Sequence, residues 1–131
     1  MVYDHLKHDE REVARLATVK GLCDLSKMSW DVHVGKGFTP PDDWKESTKK
    51  SVISLTKKRI DAIEEDYNKI KIFEFTTKIS TRTIGNLLMY RSLLKKERPG
   101  NKEITLWLVG NEGDEDLEDL IKELNINLRI V

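Results

Sequence analysis

Residues 59–76 read RIDAIEEDYNKIKIFEFT and hold the pattern that decides the fold. Apolar residues alternate with polar ones over 69–72 and again over 73–76, which predicts a β-strand from Lys69 to Thr76. The acidic stretch from Glu65 to Asn68 precedes that strand and predicts a tight hairpin turn. From Ser51 to Ile63, β-branched and apolar residues recur with period two and predict the other strand of the hairpin. Two antiparallel neighbours are therefore expected near the centre of the chain.

The flanking sequence alternates between helical and strand patterns. Asp9, followed three residues later by Glu12, predicts a capping box, and apolar residues at helical spacing extend the helix to about Met28. The predicted elements are a helix over 9–28, strands over 30–34, 51–63 and 69–76, a helix from Ser80 or Thr81 to Pro99, a strand over 103–109, a helix over 114–124 and a strand over 127–131, with a loop at 39–43 and a brief helical turn near Trp44. This order, α-β-β-β-α-β-α-β, predicts a single α/β domain over residues 1–131.

Composition sets the class of protein. The chain has 131 residues, of which 38% are hydrophobic and 35% are charged, as expected for one globular domain without a membrane span. Cys23 has no second cysteine to pair with, and no leader-like segment opens the sequence. A cytoplasmic protein without a membrane partner is expected.

The formal net charge is zero, but the charges are segregated along the chain. Residues 44–60 and 78–98 each carry six basic residues against one acidic residue, whereas residues 112–123 carry seven acidic residues against one basic residue. Either these charges form an ordinary solvated surface, or they form a basic face for a polyanion. The sequence leaves both interpretations open.

Asp61 and Glu74 are the candidate metal ligands. The hairpin between their strands has the length that brings the two side chains together. Mg²⁺ prefers carboxylate oxygens and keeps several waters for phosphate chemistry. The backbone carbonyl of Phe75 would complete the protein part of such a site.

Structural roles for these residues are open alternatives. Asp61 at a strand end suits a turn or a cap. A buried Glu74 would also be neutralised by a salt bridge to Arg59 or Lys78. Glu12 offers a third carboxylate from the first helix, although the capping box already accounts for it.

Three short motifs together resemble those of a known family. They are Arg59-Ile60-Asp61, Glu74-Phe75-Thr76 and Gly85-Asn86-Leu87-Leu88-Met89-Tyr90-Arg91, in this order along the chain. Their order and spacing resemble the small prokaryotic and phage members of the PD-(D/E)XK nuclease superfamily, and the resemblance covers nearly the whole chain. It implies a restriction-endonuclease-like fold with a mixed central sheet flanked by helices, a Mg²⁺ cofactor and DNA as the partner.

The chain departs from the family's motifs at two positions. The lysine expected two residues after the glutamate, which helps to orient the attacking water and to stabilise phosphate charge, is Thr76 here, and the helix glutamine is Asn86. Lys78 or Arg82 would have to take over the cationic role. The catalytic set implied by the resemblance is Asp61, Glu74, Lys78, Arg82 and Asn86, with Asp61 and Glu74 as metal ligands and Lys57, Lys58, Arg59 and Arg91 as nucleic-acid contacts.

The sequence is compatible with two functions and does not decide between them. The first is a metal-dependent nuclease or a nuclease-related DNA-processing protein. The second is a catalytically inactive nuclease-like domain that acts as a structural, assembly or binding module, for example in a phage particle. Such a module would form a complex with a protein partner or with copies of itself. The missing lysine and the zero net charge motivate this second function.

Overall fold

The computed structural model describes residues 5–131, which form a five-stranded mixed sheet flanked by helices. The helices are α1 (His8–Val19), α2 (Glu46–Thr56), α3 (Thr81–Glu97) and α4 (Glu118–Glu123), and the strands are β1 (Met28–Val34), β2 (Lys58–Glu65), β3 (Lys69–Lys78), β4 (Glu103–Glu112) and β5 (Ile126–Ile130). The strands lie side by side in chain order; β1, β2 and β3 are antiparallel neighbours, whereas β3, β4 and β5 are parallel. The predicted α/β class with a mixed central sheet is confirmed. No helix within residues 5–131 is long and apolar enough to cross a bilayer.

The predicted central hairpin is present. β2 and β3 pair from Ala62 opposite Phe73 to Glu65 opposite Ile70, and the backbone N–H of Asp66 closes the turn on the carbonyl oxygen of Lys69 at 2.9 Å. The predicted strand β3 therefore has a hydrogen-bonded neighbour on each side, β2 and β4.

The second strand begins later than the sequence pattern predicted. Residues 51–56 belong to α2, and β2 begins only at Lys58. A short run with this spacing also suits a helix, and the Thr56 hydroxyl donates to the carbonyl oxygen of Val52, four residues earlier, at 2.7 Å. A full helix thus replaces the brief helical turn expected there. The element order is α-β-α-β-β-α-β-α-β, not α-β-β-β-α-β-α-β.

Helix α1 is shorter than predicted and lacks the capping box. Lys7 occupies the N-cap position without a side-chain hydrogen bond, and the Glu12 carboxylate instead pairs with Arg15 at 2.6 Å. The helix ends at Val19, well before the predicted end, because Gly21 adopts a φ of 79°, the left-handed conformation that glycine tolerates best.

Helix α3 begins at the predicted cap. The Ser80 hydroxyl accepts a hydrogen bond from the backbone N–H of Thr83 at 3.4 Å, and the Thr83 hydroxyl accepts one from the backbone N–H of Ser80 at 3.1 Å. This reciprocal capping fixes the start of the helix that runs across the middle of the sheet.

Two apolar clusters lie on opposite faces of the sheet. In β3, Ile70 and Ile72 belong to the cluster that α3 and α4 cover, whereas Phe73 and Phe75 belong to the cluster that α1 covers. Even-numbered residues of this strand therefore face α3. Glu74, which has the same parity as Ile72, points toward α3 as well.

In β1 and β2, residues of the same parity face α1 in one part of the strand and α3 in the other. Trp30 packs on the α1 cluster, but Val32 packs on the α3 cluster. Their partners in β2, Ala62 and Ile60, divide between the two clusters in the same way. Asp31 lies at the reversal with a φ of 53°, a conformation uncommon for a residue other than glycine. The strands are thus twisted sharply at this level, and the ladder between them is interrupted here.

Candidate functional site

β2 and β3 separate at the level of Asp61. Their ladder stops at the pair Ala62 and Phe73, after which β2 pairs with β1 and β3 pairs with β4. Oδ2 of Asp61 accepts a hydrogen bond from the backbone N–H of Phe75 at 2.8 Å, so its side chain occupies the gap between the two strands. We call this gap the strand fork. The interrupted ladder thus leaves space for a polar group in the interior of the sheet.

The carboxyl groups of Asp61 and Glu74 are neighbours in the strand fork, and each shifts the pKa of the other. Burial raises the pKa of both groups, and the charge of Asp61 raises the pKa of Glu74 further. Only 6% of Glu74 is exposed. Two adjacent carboxylates in such surroundings do not both ionise without a cation, so the pair retains a proton when no cation is bound.

One oxygen atom of this pair has no hydrogen-bond donor. Oε2 of Glu74 is buried and finds no partner among residues 5–131. A buried polar atom left in this way costs about 1–3 kcal/mol, and native structures rarely keep one without a reason. A cation in the strand fork would supply the missing interaction.

Helix α3 presents three residues to the strand fork at intervals of one turn: Arg82, Asn86 and Tyr90. A hydrogen bond from the Asn86 side chain lowers the pKa of Glu74. Burial, followed by the charges of the carboxylate pair, raises the pKa of Tyr90, whereas the charge of Arg82 lowers it. The structure therefore brings Asn86, implied by the family resemblance, together with Asp61 and Glu74. Arg82, the other residue so implied, acts on their neighbours Glu10 and Tyr90.

Helix α1 contributes a third carboxylate, Glu10, which the sequence analysis missed. Burial raises the pKa of Glu10 most, followed by the charge of Asp61, and the charge of Arg82 lowers it. Glu10 precedes the buried α1 residues 13, 14 and 17 at the spacing of one helix face. That spacing is a signal in the sequence that would have found it. Glu12, considered in its place, lies on the exposed face.

Lys78 lies away from the strand fork. It follows Glu74 by four residues, about 13 Å along an extended strand, and its ammonium group is 3.9 Å from the carboxylate of Glu112. The Thr76 hydroxyl donates to the backbone carbonyl oxygen of Lys78 at 3.0 Å. Of the two cations offered as substitutes for the motif lysine, Arg82 is the one whose charge acts on the site.

Arg59 is held by Asp31. Its Nε and terminal nitrogen donate to the two carboxylate oxygens of Asp31 at 2.6 and 2.5 Å, the bidentate geometry that guanidinium and carboxylate groups prefer. The expected structural alternative, in which Arg59 or Lys78 neutralises Glu74, is therefore not the arrangement observed. The basic group next to the pair is instead His5, whose Nε2 lies 2.9 Å from the backbone oxygen of Asp61 and whose charge lowers the pKa of Asp61.

The other predicted nucleic-acid contacts lie outside the strand fork. Lys58 is exposed and precedes Asp61 by three residues, about 10 Å along β2, and Lys57 beside it is half-buried. Arg91 is half-buried on α3. Their role in binding nucleic acid stays a prediction.

The strand fork suits a metal that needs few protein ligands. Within residues 5–131, no group of three His, Cys, Asp or Glu side chains is placed to hold a metal ion. Mg²⁺ is commonly bound through one or two carboxylates, with waters and substrate phosphates completing its shell. Asp61 and Glu74 provide that pair, and the unpartnered oxygen of Glu74 agrees with it. The carbonyl of Phe75 as a further ligand stays a prediction.

Comparisons with models of protein families, with curated proteins and with solved structures found no match for this chain. The PD-(D/E)XK resemblance and the finer restriction-endonuclease-like topology therefore rest on the sequence motifs, and both stay predictions.

Proposed function

We propose that this protein is a metal-dependent nuclease of the PD-(D/E)XK type, in which Asp61 and Glu74 hold Mg²⁺. The observation that carries the proposal is the buried carboxylate pair in the strand fork, with Oε2 of Glu74 left without a donor. Two adjacent carboxylates, one of them buried, are costly to maintain in the ionised state, and a divalent cation offsets that cost.

Each neighbouring group has a role in this proposal. The backbone N–H of Phe75 fixes the orientation of Asp61, and the Asn86 side chain lowers the pKa of Glu74, which favours the ionised form that a cation needs. Arg82 is exposed beside the fork, where its guanidinium group would stabilise negative charge developing on a phosphate. When bound, Mg²⁺ supplies a Lewis acid for the phosphate and lowers the pKa of a coordinated water.

The proposed substrate is DNA. Phosphodiesters suit both a magnesium site and the excess of basic residues over 44–60 and 78–98. Lys57 and Lys58, which join α2 to the fork end of β2, are the contacts we expect to hold the backbone beside the site. Arg59 is a weaker candidate for this role because its guanidinium group is bound to Asp31.

The direct test is DNA cleavage by the wild-type protein. Duplex, single-stranded and branched DNA are incubated with Mg²⁺ or Mn²⁺ and, in parallel, with a chelator. We expect cleavage of at least one DNA form, and only with metal present. Intact DNA in every reaction would reject the nuclease proposal.

Substitution of Arg82 separates the two candidate cations. Arg82→Ala is expected to reduce the cleavage rate by about 10-fold or more, because it removes the cation beside the carboxylate pair. Lys78→Ala serves as the matched control and is expected to keep the rate within about threefold, because that ammonium group lies far from the fork. Initial rates on one labelled duplex measure both variants. The reverse order of effects would show that Lys78 performs the role.

A second candidate function is an inactive nuclease-like module. It is favoured by Thr76, which stands where the family has its motif lysine. The hydroxyl of Thr76 donates to a backbone carbonyl oxygen. Leu55 on α2 is 79% exposed and α2 has no buried residue, so this helix offers an apolar contact surface. Light scattering after gel filtration would support this function if it gave a stable oligomer or partner complex in a protein without metal-dependent cleavage.

A further inference from the structure

A cleft of about 570 Å³ lies at the start of β3, at the opposite end of the strand from Lys78. It is bounded by the last turn of α3, the end of β2 and the beginnings of β3 and β4. Ile70 in its wall precedes Glu74 by four residues, which corresponds to about 13 Å of strand. The cleft is therefore distinct from the strand fork.

Four basic side chains and one carboxylate line the cleft. Glu65 pairs with Lys102 at 2.6 Å and with Arg98 at 2.9 Å, and these two cations lower its pKa, Lys102 more strongly. The Glu65 carboxylate thus holds two cations against the wall of the cleft. No ion pair within residues 5–131 involves the remaining two, Lys95 and Lys96. The lining carries an excess of positive charge that a polyanion would balance.

The floor of the cleft is apolar. Ile70 is 3% exposed, Ile104 is half-buried, and Pro99 closes one side. A volume of this size accommodates a small molecule, and an apolar floor beneath charged groups suits a flat ring that bears an anionic substituent. A bare inorganic anion would leave the apolar floor unused.

We propose that this cleft binds a nucleoside phosphate, with the base on Ile104 and Pro99 and the phosphates on the four basic side chains. The same chemistry is presented by a free nucleotide and by the phosphorylated end of a DNA strand. The cleft does not use the carboxylate pair, so its function is independent of the nuclease proposal.

Calorimetric titration in a chelating buffer tests the proposal, because the chelator prevents metal-dependent binding at Asp61 and Glu74. Adenosine triphosphate and a 5′-phosphorylated oligonucleotide are the two ligands, with inorganic tripolyphosphate and the unphosphorylated oligonucleotide for comparison. Binding of either nucleoside phosphate, more tightly than its comparison compound, is expected. The ligand that binds more tightly shows whether the cleft recognises a free nucleotide or the phosphorylated end of a DNA strand.

Variants assign the binding to the cleft. The double substitution Lys95→Ala and Lys96→Ala is expected to weaken binding by about 10-fold, because it removes two of the four cations. Glu65→Gln is expected to tighten binding by about threefold, because Arg98 and Lys102 are released from their carboxylate partner. Lys20→Ala, an exposed lysine next to α1, is the matched control and keeps the wild-type affinity. Equal binding by wild type and the double variant, equal binding of tripolyphosphate, or no binding of either ligand would overturn the proposal.

Discussion

Replacing Glu74 with glutamine is expected to lower the rate of metal-dependent DNA cleavage by at least about 100-fold. The substitution keeps the size of the side chain and its place beside Asn86 but removes the charge that would bind a cation. Asp61→Asn should have a comparable effect, because it removes the other half of the carboxylate pair. Single-turnover rates on one duplex, with Mn²⁺ and Mg²⁺ in turn, measure both variants.

Glu12→Gln provides the control for these two substitutions. Its carboxylate is exposed on α1 and pairs with Arg15, away from the strand fork. This variant should cleave at the wild-type rate. If Glu74→Gln and Asp61→Asn cleaved as fast as Glu12→Gln, the proposed mechanism would be wrong even for an active nuclease.

The stability of the metal-free protein is expected to fall as the pH rises above 4.5, the ordinary pKa of a glutamic acid. Because burial raises the pKa of Glu74, the folded state holds a proton that the unfolded state has already released. The stabilisation that Glu74 contributes is complete below its ordinary pKa and is lost as the pH approaches its raised pKa in the folded state. The slope approaches about 1.4 kcal/mol per pH unit for one proton. Urea unfolding between pH 5 and pH 8 in a chelating buffer measures it.

Glu74→Gln should remove most of this pH dependence. The amide stays neutral at every pH, so the variant is expected to be more stable than the wild type at pH 8 by more than about 1 kcal/mol. Glu12→Gln should keep the wild-type slope, because the hydrogen bond from Arg15 lowers the pKa of that exposed carboxyl and the folded state gains no extra proton there. Parallel slopes for wild type and Glu74→Gln would show that the carboxylate pair does not hold the extra proton.

The parts of the fold that could be predicted from sequence are those with unambiguous local patterns. β3 alternates over 69–72 and again over 73–76, and α3 has both a capping residue at Ser80 and a terminating Pro99. The segment 51–56 could not be assigned in this way, because its short run of β-branched residues suits a helix as well as a strand. Only the tertiary arrangement distinguishes the two.

The candidate site was predictable in part. Asp61 and Glu74 are brought together by a hairpin whose register the sequence indicates, and Asn86 was implied by the resemblance of the α3 motif. The interruption of the ladder at Asp61 was not predictable, because it depends on the twist that accompanies the unusual φ of Asp31. Glu10 was overlooked because the proposed capping box directed attention to the wrong residue of the first helix turn.

Lys78 illustrates the limit of an argument from strand alternation. Period two places it on the same face as Glu74. Distance along the strand and the nearby carboxylate of Glu112 place its ammonium group elsewhere. Arg82, in the first turn of α3 and one turn before Asn86, is the cation whose charge acts on Glu10 and Tyr90.

Titration of Mn²⁺ into the protein, followed by electron paramagnetic resonance at pH 7.5, tests most directly whether the strand fork is a metal site. The account predicts saturable binding by the wild type and by Glu12→Gln, weakened by about 10-fold or more in both Glu74→Gln and Asp61→Asn. Binding of equal strength in all four proteins, or no saturable binding by the wild type, would contradict it.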